Sequence, residues 1–501
     1  MERAARLALA CLALVAALVA AWRVPDLVPC VQDDGFIYFR IAENAAHGHG
    51  PVFNPGERVD AATSPAWTWL LALCVRLGVS PRIAAGILGS LAAVGAVVAS
   101  GRWALELAGA RSRGAIIAAL IPSLLIALDI RFLLAALSGM ETALAACTWA
   151  LAGRALVRRC VQNLPATGVG WMVLVAILVR AEFVLFVLAI AAWALARRTH
   201  TLGALRHALL PALVGGGLYL LAHTLYFGDP LPNTFHAKSA ADWAHVRIGL
   251  AWLTRAPLTY PWLAFAAAAC CVPWRRVVLA PIGLGMAAYA AFLVTLGGDH
   301  FVFHRPMLHV LPLALAALGG TVGCLWNEGR AVARITSAVG LAALLGFAAS
   351  RRIAPGAFQW VRHAAQLGAV LARGYPPETR LGLFAIGATG YASHRPVVDA
   401  LGLADARIAR ATSHDDTPLT PSDIGHERGD PDALLARADV IVLFGAYAPV
   451  PFESLDEVRP GFRQHERFLI AARAAVARGA FQLRNIEFAP GAYWAVLERR
   501  S

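Results

Sequence analysis

Of the 501 residues, 58% are hydrophobic and only 15% are Asp, Glu, Lys or Arg, against ~25% charged in an ordinary soluble domain. That excludes a soluble enzyme, a disordered chain and a fibrous repeat, and leaves a polytopic α-helical membrane protein. The net charge of +13 then reflects cations held in membrane-flanking loops and at anionic headgroups, not a nucleic-acid partner.

An apolar run at 5–22 follows Arg3 and Arg6. It lacks a clean A-x-A cleavage site and precedes many further apolar runs, so it reads as an uncleaved first helix with a cytoplasmic N-terminus. Residues 24–62 form a polar loop with four Asp and two Glu. Apolar stretches follow at 63–79, 82–101, 113–129, 136–152, 166–196, 205–225, 257–273, 277–297, 303–325 and 331–349. A span takes roughly 20 apolar residues, so the expectation is about eleven spans. The 166–196 stretch is either one tilted span or a tight hairpin. Arg197, Arg198 and Arg206, then Arg275 and Arg276, then Arg330 and Arg334 mark cytoplasmic loops. Loop 24–62, loop 226–256 and the C-terminal tail therefore fall outside. The groups at Arg102, Arg111, Arg113 and at Arg154, Arg158, Arg159 both belong inside by the same rule. Simple alternation forbids that, which predicts a re-entrant early segment or the hairpin.

From about residue 351 the long apolar runs stop. Residues 381–386 and 440–444 read as buried strands, and 431–438 and 463–478 as helices. Asp430 before Pro431 is a helix-start signal. Residues 488–497 read as a final strand region around a Pro-Gly turn. The expected organisation is a transmembrane module at 1–350 and an extracytoplasmic α/β domain at 351–501. Eight cysteines show no CxxC or Cys/His metal spacing, so neither a structural zinc nor a disulfide framework is expected.

Several polar groups stand out. Asp33 and Asp34 sit just after the first apolar run, ahead of an amphipathic stretch at 36–46 with Arg40 and Glu43 on its polar side. Asp34 can cap that helix, yet a cap needs one Asp, and the pair suits general-base or electrostatic work on a hydroxyl. The loop ending in His236 and Lys238, the single lysine of the chain, offers two cations to a phosphate, on one face if the segment is a strand. Gly297-Gly298-Asp299 and then His304-Arg305 combine a permissive backbone with a guanidinium fit for a phosphate clamp. Arg180 and Glu182, and Arg131 and Glu141, are ionisable groups within apolar stretches, where they mark a site or a buried pair.

Asp33-Asp34 with NPGERVDAATSPAW, SGMETAL, YFGDPLPNTFHAK, GGDHFVFHRP and IGATGYASHRPVVDALGLADARIAR occur in one order. Together they resemble the terminal arabinofuranosyltransferase-like family of GT-C membrane glycosyltransferases. The resemblance implies transfer of a sugar, D-arabinofuranose first of all, from a polyprenyl-phosphate donor to a glycan or protein acceptor. It places the chain among membrane lipids of the bacterial inner membrane, with its site facing the periplasm or exterior, and implies no nucleic-acid partner. It assigns one of Asp33 and Asp34 as base or acceptor-orienting carboxylate, and the other to substrate or to a divalent cation, the one cofactor in view. It assigns His236, Lys238 and Arg305 to the donor phosphate and Asp299 to sugar hydroxyls, with Arg180, Glu182 and Glu141 as further sugar or acceptor contacts. The chain departs from the family in having Arg180-Ala181-Glu182-Phe183 for Arg-Pro-(Asp/Glu)-Gly, and His304 before Arg305 where Gly is usual. Another lipid-linked pentose or hexose is the nearest alternative. A transporter would carry inverted repeats, and none is evident.

Overall fold

The computed structural model of the chain describes residues 31–500 except 110–111, 113, 199–201, 239–241, 272–275, 300–302, 330, 351–357, 412–419, 422 and 425–427. The expected first helix at 5–22 lies outside the described residues, as do Arg111, Arg113, Arg275 and Arg330.

Among the described residues, four helices have the length and apolar character to cross a membrane: Pro81–Ala108, Leu209–Phe227, Val278–Thr295 and Met307–Asn327. A fifth crossing is formed if Gly114–Leu128 and Ile130–Leu137, bent by 62° at Asp129, count as one. Met307–Asn327 is the buried central helix; Leu311, Leu315, Trp103, Trp149 and Phe186 share its core. Close approach there depends on Gly319, whose added Cβ would stand 2.4 Å from the Ala118 carbonyl oxygen.

Two structural facts resolve the charge conflict of the early segments. The 63–79 stretch forms only the 12-residue helix Pro65–Arg76, about 18 Å long against a hydrocarbon core of ~30 Å. Glu106 pairs with both Arg154 and Arg158, the latter at 3.2 Å. The cationic ends of Pro81–Ala108 and Thr142–Leu156 therefore share one end of the bundle, opposite the first loop. The 166–196 stretch is broken at Arg180 into Val169–Val179 and, after one short turn, Val184–Ala196. Arg180 sits at the tip of these two helices, at the first-loop end, and not in the middle of a span.

The C-terminal part is a five-stranded sheet in the order β2-β1-β3-β5-β4: β1 is Leu381–Leu383, β2 Val397–Asp399, β3 Val440–Ala448, β4 Phe481–Ala489 and β5 Ala492–Arg499. β2 and β3 run parallel to β1, while β5 and β4 are antiparallel additions. The expected strand at 488–497 is a hairpin, because Pro490 and Gly491 (φ +66°) reverse the chain inside it. The Asp430 side chain accepts from Ala433 N at 2.8 Å, the cap that the sequence announces for Pro431–Arg437. Alternation along the strands buries Val440 and Val442 on one face with the Gln359–Gly374 helix residues Val361 and Leu367. Ile441 and Leu443 turn to the other face, with Leu434 and Leu469.

The first loop packs on the former face. Its helix Asp33–Ala46 buries Phe36, Ile37, Phe39 and Ile41 in the same core as Leu381, Val397 and Val440. Arg40, expected on the polar side, is only 8% exposed. Its guanidinium donates to the carbonyls of Phe53, Gly390 and Arg395 at 2.7–2.8 Å and to Asn54 Oδ1. Asn54 in turn exchanges hydrogen bonds with Val397. Losing this side chain orphans the Arg395 carbonyl and takes one of two donors from Phe53 O and Gly390 O, which keep Asn44 and Ser393. Arg40→Ala is expected to reduce stability by about 3 kcal/mol, read as a lowered unfolding midpoint of the full chain in detergent, with Arg40→Lys recovering less than half.

Candidate active site

The adjacent carboxylates of the first loop face different partners, as residues about 100° apart on a helix must. Asp33 accepts from the backbone N–H groups of Gly387 and Ala388 at 2.9 and 2.7 Å, the first turn of the Gly387–Ser393 helix. It ties the first loop to the C-terminal sheet. Asp34 lies toward Arg305, whose Nη1 is 3.4 Å from Asp34 Oδ2 and 3.4 Å from Gln32 Oε1. Arg305 Nε is 3.7 Å from Asp299 Oδ2. Arg305 thus bridges two carboxylates at the mouth of Met307–Asn327. Asp299 reaches it because Gly297 and Gly298 adopt φ of +79° and +90°; a Cβ on Gly298 would strike Trp252.

Arg180 builds the second half. Its Nη1 donates to Glu141 Oε1 at 3.0 Å and Thr63 Oγ1 at 3.2 Å, and its Nη2 to Glu182 Oε1 at 2.7 Å. Tyr38 Oη is 2.9 Å from Thr63 Oγ1. Among the described residues, Glu141 Oε2 and Arg180 Nε are buried with no hydrogen-bond partner, so both retain bonding capacity toward a polar ligand. Tyr289 Oη lies between His309 Nδ1 (2.9 Å) and the Pro306 carbonyl (3.3 Å), directly behind Arg305. From Tyr289 and Met307 a cavity of about 650 Å³ runs between helices, walled by Leu253, Leu263, Met286 and Val310. A predominantly apolar groove therefore reaches Tyr289 and Met307, the latter two residues after Arg305.

The structure groups Asp34, Arg305 and Asp299, and separately Glu141, Arg180 and Glu182, but it corrects two expectations. Arg131 is not a partner of Glu141: it pairs with Asp129 at 2.8 Å and lies over the Tyr260 ring, and it stabilises the bend. His236 and Lys238 lie on a helix, Asn233–Lys238, where i and i+2 point apart, so the shared strand face does not exist. His236 is bonded to Asp229 at 2.9 Å, and Asp229 accepts Arg410 at 2.7 Å. That cluster joins loop 226–238 to the C-terminal sheet, as does Asn233, which donates to Gly402 O and Leu403 O. Asp399, at the end of β2, accepts from Leu401 N and Ala404 N. Among the described residues no group of three or more His, Cys, Asp or Glu side chains is arranged to hold a metal ion.

Sequence reasoning missed Gln32, Tyr38, Thr63, Tyr289 and His309. The first three carry no signal beyond ordinary loop chemistry. His309, an ionisable group inside an apolar stretch, is the kind of residue that marks a site.

Desolvation in the seam, reinforced by Asp34, outweighs the two N–H donors and raises the Asp33 pKa to about 6. The folded chain then holds a proton between the ordinary value of 3.8 and about 6 that the unfolded chain has released. Its contribution to stability is full below the lower value and is lost as pH rises through the upper one. The stability of the native chain relative to Asp33→Asn is expected to fall between pH 4 and 6 and to stay level above about pH 7, in thermal unfolding across pH. A gap that widens with rising pH contradicts this.

Residues 353–485 match a family model described as a domain of unknown function, DUF8728. The chain is 32% identical to the terminal beta-(1->2)-arabinofuranosyltransferase of Mycobacterium tuberculosis over 233 residues, 42% of this chain and 35% of the relative. It is 49% identical to the protein of the same name from Corynebacterium glutamicum over 43 residues, 9% of this chain and 6% of the relative. These matches span about a third or less of the curated relatives' length. ArnT from Cupriavidus metallidurans, solved bound to undecaprenyl phosphate, superposes with a TM-score of 0.54 at 14% identity, over 98% of this chain and 97% of ArnT. The chain has the GT-C fold of polytopic helical membrane proteins. The departures at Ala181 and His304 sit within this fold as short-range adjustments: Ala181 begins the turn after Arg180, and His304 adopts φ +47° and bonds the Trp252 carbonyl.

Proposed function

We propose that the chain is an integral-membrane glycosyltransferase that moves a sugar, D-arabinofuranose in the first instance, from a polyprenyl-phosphate donor to a hydroxyl of an extracytoplasmic glycan or protein. The observation that carries this reading is the apolar groove ending on Tyr289 and Met307 beside Arg305, itself held between Asp34 and Asp299. A polyprenyl chain needs such a groove and its phosphate needs a cation at the end of it. The identity to arabinofuranosyltransferases and the fold shared with an undecaprenyl-phosphate-binding protein support the donor class.

In this reading the isoprenoid lies in the groove and its phosphate meets Arg305 and the Nε side of Arg180. Asp34 takes the proton of the acceptor hydroxyl. The acceptor oxygen bonds to the anomeric carbon as the bond from that carbon to the phosphate oxygen breaks, and the electron pair leaves with the phosphate. Arg305 balances the charge that develops there. Glu141, Glu182 and Asp299 hold sugar hydroxyls, and Asp33 holds the first loop in place. The site faces the periplasm or exterior of the inner membrane.

The test is reconstitution with synthetic polyprenyl-phosphoryl arabinofuranose, following release of polyprenyl phosphate. Release that depends on this protein supports the arabinosyl reading. Release only from a lipid-linked hexose keeps the transferase and replaces the sugar. No release from any lipid-linked sugar, with envelope extract supplied as acceptor, overturns the proposal.

A further inference from the structure

The C-terminal sheet carries a second cavity, of about 240 Å³, bordered by Trp360, Phe384, Thr389, Phe444, Tyr447 and Trp494. Its position follows from topology. β1 pairs with β2 on one side and β3 on the other, both parallel, so the chain order reverses between β1 and β3. In such sheets ligands bind in the crevice outside the carboxyl ends of the two strands at the reversal. Phe384 directly follows β1, and Phe444 and Tyr447 lie on the distal half of β3.

A second observation coincides with this position. Between the pairs Val442↔Val496 and Tyr447↔Trp494 the register shifts, with four residues of β3 set against Ala495 alone. Bulges of this kind re-aim side chains and gather beside functional sites. Here the bulge turns on Gly445 (φ +67°), is pinned by Trp494 Nε1 donating to Leu443 O at 2.8 Å, and leaves Tyr447 39% exposed. Phe444 and Trp360 are also partly exposed.

We infer that this crevice binds one sugar ring of the acceptor glycan, an inference that rests on the transferase reading above. Aromatic faces stack on the C–H faces of sugars, and the volume lies below the ~300 Å³ at which drug-sized pockets begin. It therefore suits one ring of an extended chain. Thr389 follows directly on Ala388, whose N–H holds Asp33. The crevice thus borders the helix turn that holds Asp33 in the first loop.

The probe is a synthetic arabinofuranose disaccharide titrated into the full chain in detergent, read by tryptophan fluorescence, with maltose as comparator. Saturable quenching is expected, weakened about tenfold by Trp360→Ala and by Tyr447→Ala and retained by Tyr447→Phe. In the transfer assay the same alanine variants should raise the acceptor KM about tenfold, while kcat and the release of polyprenyl phosphate to water stay within twofold. Absence of quenching in the native chain, or a KM unchanged in both alanine variants, overturns the inference. Tighter binding of maltose overturns its pentose component. Binding of the disaccharide by a chain that turns over no lipid-linked sugar upholds the crevice and overturns the transferase reading, so the two failures are distinguishable.

Discussion

Arg305→Ala is expected to slow release of polyprenyl phosphate by about a thousandfold, with little change in the amount of folded protein. The guanidinium stands between Asp34 and Asp299 with 18% of its side chain exposed, so in the proposed reaction it is set in advance where leaving-group charge would develop. A preorganised donor at developing charge is worth roughly 10²–10³ in rate, and a full cation in a partly desolvated site lies at the upper end. Arg305→Lys keeps the charge and loses the two-pronged geometry, so it should recover part of the loss, to within about a hundredfold of native. The checks are single-turnover kinetics and donor binding measured separately. His236→Ala is the contrasting substitution: His236 is bonded to Asp229 and should alter the release rate less than about twofold. Equal losses at both positions refute the assignment of the phosphate to Arg305.

Asp34→Asn is the second large effect. The substitution preserves shape and removes the proton acceptor, and general-base contributions run at roughly 10²–10⁴. The loss should fall on transfer to the acceptor, with donor binding within a fewfold of native. Asp33→Asn should act differently, because Asp33 is spent on Gly387 and Ala388. An amide there presents one oxygen to two N–H donors, so stability falls by about 1–3 kcal/mol while the residual folded protein keeps most of its rate. The opposite pattern, a rate collapse at Asp33 and a mild effect at Asp34, transfers the proton role to Asp33. Its pKa of about 6 would then be the functional property, and the rate should titrate near that value.

The parts legible in the sequence are those set by local chemistry. Asp430-Pro431 announces its helix because a cap and a fixed φ act within one turn. The buried strand at 440 is an apolar run, and among the motif residues Asp34 and Asp299 flank Arg305 while Glu141 and Glu182 flank Arg180. What was illegible depends on contacts across hundreds of positions. Nothing near Arg40 says that Gly390 and Arg395 will supply its acceptors, so a charged residue on an amphipathic stretch reads as solvated. The 63–79 stretch is apolar enough for a span, but Leu77 and Gly78 end the helix early and leave it too short. Arg180 looks central in a 31-residue apolar stretch, and only the break after Val179 carries it to the end of the bundle. The segment 233–238 has no apolar alternation long enough to decide between strand and helix; two prolines just before Asn233 favour a helix start.

The tie between Asp33 and the Gly387–Ser393 helix also has a consequence in time. Its two ends are 354 positions apart, so at ~5–20 residues per second the ribosome makes the carboxylate roughly 20–70 s before its donors. Throughout that interval the helix that presents Asp34 has its ties to earlier elements, Gln32 N to Ser138 O at 3.0 Å and Tyr38 Oη to Thr63 Oγ1 at 2.9 Å, but not those to the sheet. Copies cut short before residue 387 would hold Asp34 and Arg305 but lack the N–H groups that fix Asp33. The C-terminal sheet is therefore made after the spans and adds a late tie to the first loop.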